Sequence, residues 1–331
     1  MPTIYAITAV LVSFFTTLFV LPYWIKRARD HNLVGVDMHK LDKRPVSELG
    51  GLVTIFSAVV GILFAVAMYV FVYIGVEIIS LLAASLSILI ALIIGLVDDI
   101  LGWKLGLRQY QKAVISLLIA LPMIVVNAGV RFINIPFNGI VDFGRLYPLF
   151  LVPLGIIGSS NAFNMIAGFN GLEAGMGIII LSTLGYIAWV AGSNNAALIA
   201  SCIVVSLIAF FMFNKRPAIV FPGDTLTYSV GAAIGVIAIT GNVEKFALIM
   251  FIPYFIELLL KLRGRFQKES FGKLLSDGTL TNRYDKWYSL THVAISLQRR
   301  LKGKATEDGV VLMILGCEAI LAVVTVFYFF G

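Results

Sequence analysis

Ten apolar runs recur along the 331 residues, at about 3–25, 51–74, 78–97, 112–128, 147–162, 174–192, 196–213, 226–241, 246–262 and 309–330. Each is close to the roughly 17–25 residues that an α-helix needs to cross a bilayer. Sixty per cent of the residues are hydrophobic and 13% are charged, where a soluble domain is about one-quarter charged. Strict alternation is absent, which argues against an outer-membrane barrel. The expectation is an all-α, polytopic membrane protein of about ten transmembrane helices, built as a single unit over residues 1–331. The first run lacks a basic start and a small-residue cleavage site, so it reads as a mature helix and not a signal peptide. Cys202 and Cys317 both fall within apolar runs, so no disulfide framework or CxxC metal site is expected.

Ten spans put both termini on one side. All but Arg131, Arg145 and Lys245 of the 25 Lys and Arg residues lie in the loops 26–50, 98–111, 163–173, 214–225 and 263–308 or at the adjoining span ends. The positive-inside rule makes those loops cytoplasmic and both termini extracytoplasmic. Topology alone accounts for this bias; an anionic partner is the alternative, because the basic residues lie near a group of acids and amides. Asp98, Asp99, Glu173 and Asp224 are expected at cytoplasmic span ends. A coupled transporter more often places carboxylates at mid-depth. A cluster at one membrane edge suits chemistry on a substrate arriving from the cytoplasm.

Individual loops carry further signals. Adjacent carboxylates, as in "LIIGLVDDILG", repel unless a cation is near, and hard oxygens beside phosphates are a Mg²⁺ setting. Lys104, Arg108 and Lys112 follow, opening the next helix with the wrong sign for its dipole; a bound phosphate would remove that conflict. The loop "SSNAFNMIAGFNGLEAGMG" has no basic residue, so topogenic charge does not explain it. Its glycines permit close backbone approach and its amides can read polar ligand edges, although Gly171 and Gly175 also suit close helix packing. In "VFPGDT", Asp224 follows Pro-Gly, where a helix N-cap is an equal reading. Phe221 is either an interfacial anchor or a stacking platform. Arg263 and Arg265 suit pyrophosphate. Residues 285–304 read as an amphipathic helix on the inner membrane surface.

Together these stretches resemble the polyprenyl-phosphate N-acetylhexosamine-1-phosphate transferase family, from about residue 30 to the last span. "NAFNMIAGFNGLEAG" is the strongest element and resembles the eukaryotic and archaeal branch; "VDDILG", "VFPGDT" and "TEDG" are further matches. The bacterial branch carries aspartates where this chain has Ala167 and Asn170. The resemblance implies transfer of N-acetylhexosamine 1-phosphate, most simply GlcNAc 1-phosphate, from a UDP-sugar to a polyprenyl or dolichyl phosphate, with release of UMP. It implies catalytic roles for Asp98, Asp99 and Lys112, with Asp98 favoured as the base toward the lipid phosphate. Asn164 and Asp224 match ligands of Mg²⁺, with Mn²⁺ as an alternative. Gly168, Asn170 and Phe221 match positions that hold uracil. Arg263 and Arg265 match residues that grip pyrophosphate and sugar, with Gly264 between them where the eukaryotic enzyme has histidine. Glu48 in "RPVSELGG" resembles a family acid of unassigned role. The last-loop histidine motif of the bacterial peptidoglycan enzyme is absent, leaving only His292 in that loop. The partners implied are a UDP-N-acetylhexosamine and a membrane polyprenyl phosphate, not a nucleic acid, and a homodimer is compatible. A bacterial-type undecaprenyl-phosphate transferase and a secondary transporter are the competing readings. The absence of N-x-S/T sequons and the short outer loops suit an archaeal plasma membrane, with the active site facing the cytoplasm.

Overall fold

A computed structural model of the chain describes residues 3–72, 78–105, 109–135 and 139–331. The helices are α1 (Thr3–Asp30), α2 (Gly50–Val72), α3 (Ile78–Leu105), α4 (Gln109–Ile115), α5 (Leu117–Val125), α6 (Val152–Met165), α7 (Leu172–Val190), α8 (Asn194–Asn214), α9 (Gly223–Gly241), α10 (Glu244–Met250), α11 (Ile252–Arg263), α12 (Leu290–Lys302) and α13 (Glu307–Phe330). Seven of them, α1, α2, α3, α7, α8, α9 and α13, are long and apolar enough to cross a membrane. Their outward positions carry large apolar side chains such as Phe19, Phe71 and Phe327, as hydrocarbon surroundings require.

The other three expected spans are broken. Residues 112–128 fold as α4 and α5, interrupted at Ser116, whose hydroxyl donates to the Lys112 carbonyl at 2.7 Å. Residues 147–162 begin as a π-helical turn, Tyr147–Leu151, ahead of the 14-residue α6. Pro148 and Pro153 stand in the first turns of these two pieces, where they donate no backbone N–H. Residues 246–262 divide into α10 and α11 at Phe251, just before Pro253.

The loops also hold strands that the all-α expectation lacked. They are three antiparallel pairs: β1 (Val34–Val36) with β2 (Pro45–Ser47), β3 (Phe132–Ile135) with β4 (Gly139–Asp142), and β5 (Lys273–Leu274) with β6 (Leu280–Thr281). The first matters most for function. Ser47 also bridges in parallel to Val220, so β2 lies beside the chain entering α9.

The bundle is centred on α9, most of whose residues are buried and which packs against α2, α3, α6, α7 and α8. Glycines on α9 allow this: a Cβ at Gly231 would run into the backbone of Ser159 and Ser160 on α6. One acid was not anticipated in the bundle. Glu318, midway along α13, is fully buried, and neither carboxylate oxygen has a hydrogen-bond partner among the described residues.

Candidate active site

The C-terminal part of α3 crosses the start of α9 at very short range. Gly95 makes that possible, since a Cβ there would run into the backbone of Asp224 and Thr225. At this crossing Asp99 Oδ1 accepts the Asp224 backbone N–H at 2.8 Å, and Oδ2 accepts that of Thr225 at 3.0 Å. The N-cap position of α9 is Pro222, which supplies no side-chain cap. Asp99 therefore satisfies two of the orphan donors of that helix from another element and places negative charge at the positive end of its dipole.

Asp98 does something different. It is ion-paired with Lys112 in the last turn of α4, and the same ammonium lies 3.1 Å from Asp224 Oδ2. The Tyr228 ring flanks that ammonium at 5.9 Å. Asn164, at the end of α6, donates through Nδ2 to Asp224 Oδ2 at 3.4 Å, and its Oδ1 accepts from Thr227 Oγ1 at 2.9 Å. The ends of α3, α4 and α6 and the start of α9 thus bring Asp98, Asp99, Lys112, Asn164 and Asp224 together.

The donor set suits a hard divalent cation. The point between Asp98 and Asp224 already attracts positive charge, because Lys112 sits there. Asn164 presents its amide nitrogen to Asp224, so ligation through Oδ1 requires the amide to turn over. Thr227 permits that turn, since a hydroxyl can accept as well as donate.

A cavity of about 220 Å³ opens beside this cluster, lined among others by Asp37, Asn164, Gly168, Asn170, Phe221 and Asp224. Phe221 is fixed by backbone: its N–H donates to the Ser47 carbonyl at 2.7 Å, and its carbonyl accepts from Gly50 N–H at 2.9 Å. Gly168 has φ +115°, a conformation that excludes a side chain with little strain; its N–H donates to Glu173 Oε1 at 2.7 Å. Glu48 is half-buried beside Gly35, against which Phe221 also packs. Burial, and then the charge of Asp99, hold the Glu48 carboxyl above the ordinary glutamate range.

Asn170 is the centre of a network that the sequence did not announce. Its side-chain Nδ2 donates to Asp37 Oδ2 at 2.7 Å, and its backbone N–H donates to Glu307 Oε1 at 3.0 Å. Asp37 also pairs with Lys40 at 3.0 Å and accepts the His39 N–H at 2.9 Å. Glu307 lies 3.3 Å from Arg216 Nε. Burial pushes Asp37 up, but Asn170, the His39 N–H and Lys40 together bring it below the ordinary aspartate range. Asp37, His39 and Glu307 have ligand atoms within 4.8 Å of one another, close enough to share a cation. Lys40 and Arg216 balance the acids and His39 Nε2 accepts the Gly272 N–H at 3.2 Å, while Glu307 Oε2 has no hydrogen-bond partner among the described residues.

The remaining expected residues are not drawn in. Arg263 and Arg265 are exposed and line no part of this cavity, and among the described residues neither forms an ion pair. Arg108 and the side chain of Lys104 lie outside the described residues. Gly175 packs on Leu315 of α13, as a small helix-packing residue would. In α12, Ala294 faces the protein while Leu297 and Leu301 are exposed, in keeping with an amphipathic helix. Asp37, His39, Thr227 and Phe271 were missed; "GVDMHK" could have signalled the first two, as a charged cluster in an otherwise apolar chain.

Residues 79–242, which carry Asp98, Asp99, Lys112, Asn164 and Asp224, match the glycosyl transferase family 4 profile. A protein of Saccharolobus solfataricus is 38% identical over 321 residues, covering 96% of this chain and 94% of its own, and bears the provisional name UDP-N-acetylglucosamine–dolichyl-phosphate N-acetylglucosaminephosphotransferase. A Sulfolobus acidocaldarius protein with the same provisional name is 34% identical, covering 97% and 95%. The phospho-N-acetylmuramoyl-pentapeptide-transferase of Lactobacillus helveticus is 30% identical, covering 71% and 74%. With whole-length archaeal relatives and the loop motifs gathered at one site, the chain belongs to glycosyl transferase family 4, among the polyprenyl-phosphate N-acetylhexosamine-1-phosphate transferases.

Proposed function

We propose that the protein transfers N-acetylglucosamine 1-phosphate from UDP-GlcNAc to a dolichyl-type polyprenyl phosphate and releases UMP. The observation that carries this reading is the Asp98–Lys112–Asp224 charge cluster at the edge of a cavity walled by Gly168 and Phe221. Gly168 and Phe221 line the same cavity as Asn164 and Asp224, so a flat base held by them would direct its phosphates toward Lys112. The archaeal relatives' names fit the same substrates.

In this reading Phe221 stacks on the uracil and Gly168 lets the opposite face lie against backbone. Asp224 and Asn164 would hold Mg²⁺, or Mn²⁺ in its place; the ion would neutralise pyrophosphate charge and make UMP a better leaving group. Lys112 supplies fixed positive charge where the transferring phosphate accumulates oxygens. Asp98 takes the last proton of the lipid phosphate or keeps it deprotonated. Asp99 holds the start of α9 in register. Arg263, at the end of α11, and Arg265, in the loop that follows, are exposed and would reach the pyrophosphate and sugar from there.

The whole chain acts as one membrane unit of ten spans, three of them broken, with both termini extracytoplasmic. The site faces the cytoplasm of an archaeal plasma membrane, where a soluble nucleotide sugar meets a lipid whose tail stays in the bilayer. The test is UMP release by detergent-purified protein. Release from UDP-GlcNAc that requires both a polyprenyl phosphate and Mg²⁺ supports the proposal. Release indifferent to the lipid, or none with any UDP-sugar, sinks it. Side-by-side dolichyl and undecaprenyl phosphates separate the archaeal reading from the bacterial one.

A further inference from the structure

Asn170 has an amide with two different faces, and its surroundings determine which face meets a ligand. A carboxylate can only accept hydrogen bonds. Asp37 Oδ2 lies 2.7 Å from one end of the amide, so that end is the NH₂ group. Asp37 is in turn fixed by Lys40 at 3.0 Å and by the His39 N–H at 2.9 Å, while Glu307 pins the Asn170 backbone at 3.0 Å. Among the described residues nothing donates to Asn170 Oδ1, and Asn170 lines the cavity between Gly168 and Phe221. Oδ1 is therefore the end of the amide left without a protein donor, and it is an acceptor.

We propose that Asp37 is a positioning residue that sets base specificity: by holding the Asn170 NH₂ group, it commits Oδ1 to accept the single N–H on the uracil edge, N3–H. This rests on the reading that the cavity takes a uridine nucleotide. Uracil offers N3–H between two carbonyls. Cytosine has a lone pair at N3, which would face Oδ1 directly, lone pair against lone pair. A free asparagine could turn its amide over and suit either base. Asp37 removes that freedom, so selectivity originates in a residue more than 130 positions away from the one that touches the base. Glu307 and Arg216 support the same loop from the start of α13 and the end of α8, through the 3.3 Å pair between them.

Calorimetry of UDP, CDP and N3-methyl-UDP binding to the detergent-solubilised full chain tests this. Wild type should bind UDP roughly 10- to 100-fold more tightly than either analogue, the scale of one buried polar group left unpaired. N3-methyl-UDP or CDP binding as tightly as UDP overturns the assigned polarity. Failure of all three nucleotides to bind overturns the uridine-nucleotide reading itself. Asp37→Asn should shrink the UDP-to-CDP ratio to within about 3-fold, chiefly by weakening UDP and improving CDP; an unchanged ratio in the folded variant refutes the positioning role. Asp37→Ser gives the same reading should the asparagine variant not fold, and the wild-type comparison with N3-methyl-UDP needs no variant. In an Asn170→Ala background, Asp37→Asn should change the ratio by less than about 2-fold; a larger change means Asp37 acts by another route, against the proposal.

Discussion

Asp99 caps the helix that carries Asp224: its Oδ1 accepts the Asp224 backbone N–H at 2.8 Å, from a different helix and 125 positions earlier in the chain. The two adjacent aspartates of "VDDILG" are thereby separated in role. Asp98 faces the charge cluster through Lys112, and Asp99 fixes where the opposite wall of that cluster stands. Asp99→Asn retains one acceptor oxygen and loses the charge-assisted pair. The expected cost is about 1–2 kcal/mol of stability, the scale of a lost cap, with a fall in kcat because Asp224 is displaced. Thermal denaturation and UMP-release kinetics on the same preparation check both. Wild-type kcat in Asp99→Asn would remove its positioning role.

Asp98→Asn should reduce kcat by roughly 10²-fold or more, the usual scale of a general base, with UDP-GlcNAc binding largely kept. A variant that loses nucleotide binding while holding its kcat would make Asp98 a binding residue.

Asp224→Ala and Asn164→Ala should each abolish turnover or nearly so, because each deletes a hard oxygen from the proposed metal-holding set. Magnesium titration of both variants is the check. A wild-type rate at the wild-type magnesium optimum in either one excludes that residue as a ligand.

Phe221→Ala should weaken UDP about 5- to 150-fold, since an aromatic–base contact is worth about 1–3 kcal/mol, and leave lipid-phosphate affinity almost unchanged. Its backbone is held by Ser47 and Gly50 independently of the ring, so the variant is expected to fold. Unchanged UDP affinity in calorimetry would mean that Phe221 is an interfacial anchor only.

Glu48 titrates above the ordinary glutamate range because of burial and Asp99. The folded state therefore holds its proton more tightly than the unfolded state does. That contribution is fully present below the unfolded pKa and is lost as pH rises through the folded one. Glu48→Gln, which keeps the neutral form at every pH, should gain in melting temperature over wild type as pH rises from about 4 to about 7. A constant difference across that window would show that the Glu48 proton is not linked to folding.

Much of the site was legible in sequence because its residues depart from their surroundings. In a chain this apolar, Asp98, Asp99 and Asp224 at run ends need an explanation, and the amide- and glycine-rich loop that carries Asn164, Gly168 and Asn170 has no basic residue for topology to explain. The structure brings all six to one place. Asp37, His39 and Glu307 were harder to see, since they lie in polar loops or beside the last span, where isolated charges are ordinary. Asp37 and Glu307 matter through long-range pairing with Asn170, and His39 through its contacts with Asp37 and Gly272, which no local pattern encodes. The broken helices were hidden for a related reason: hydropathy averages over a window, and a single serine or proline that diverts one backbone hydrogen bond leaves the average unchanged. Glu318 escaped because one acid barely alters a 24-residue apolar run.

The pinning of Asn170 by Glu307 has a consequence for how the protein is made. Glu307 is the first residue of α13, which follows every other element of the site in chain order. The loop around Asn170 is then completed only after α1 to α12 have been made. A nascent chain or truncated product that ends before α13 carries Asp98, Lys112, Asn164 and Asp224, yet lacks the acid that seats Asn170. Such a fragment would hold the charge cluster with Asn170 unseated: under the proposed roles, selectivity is assembled after chemistry.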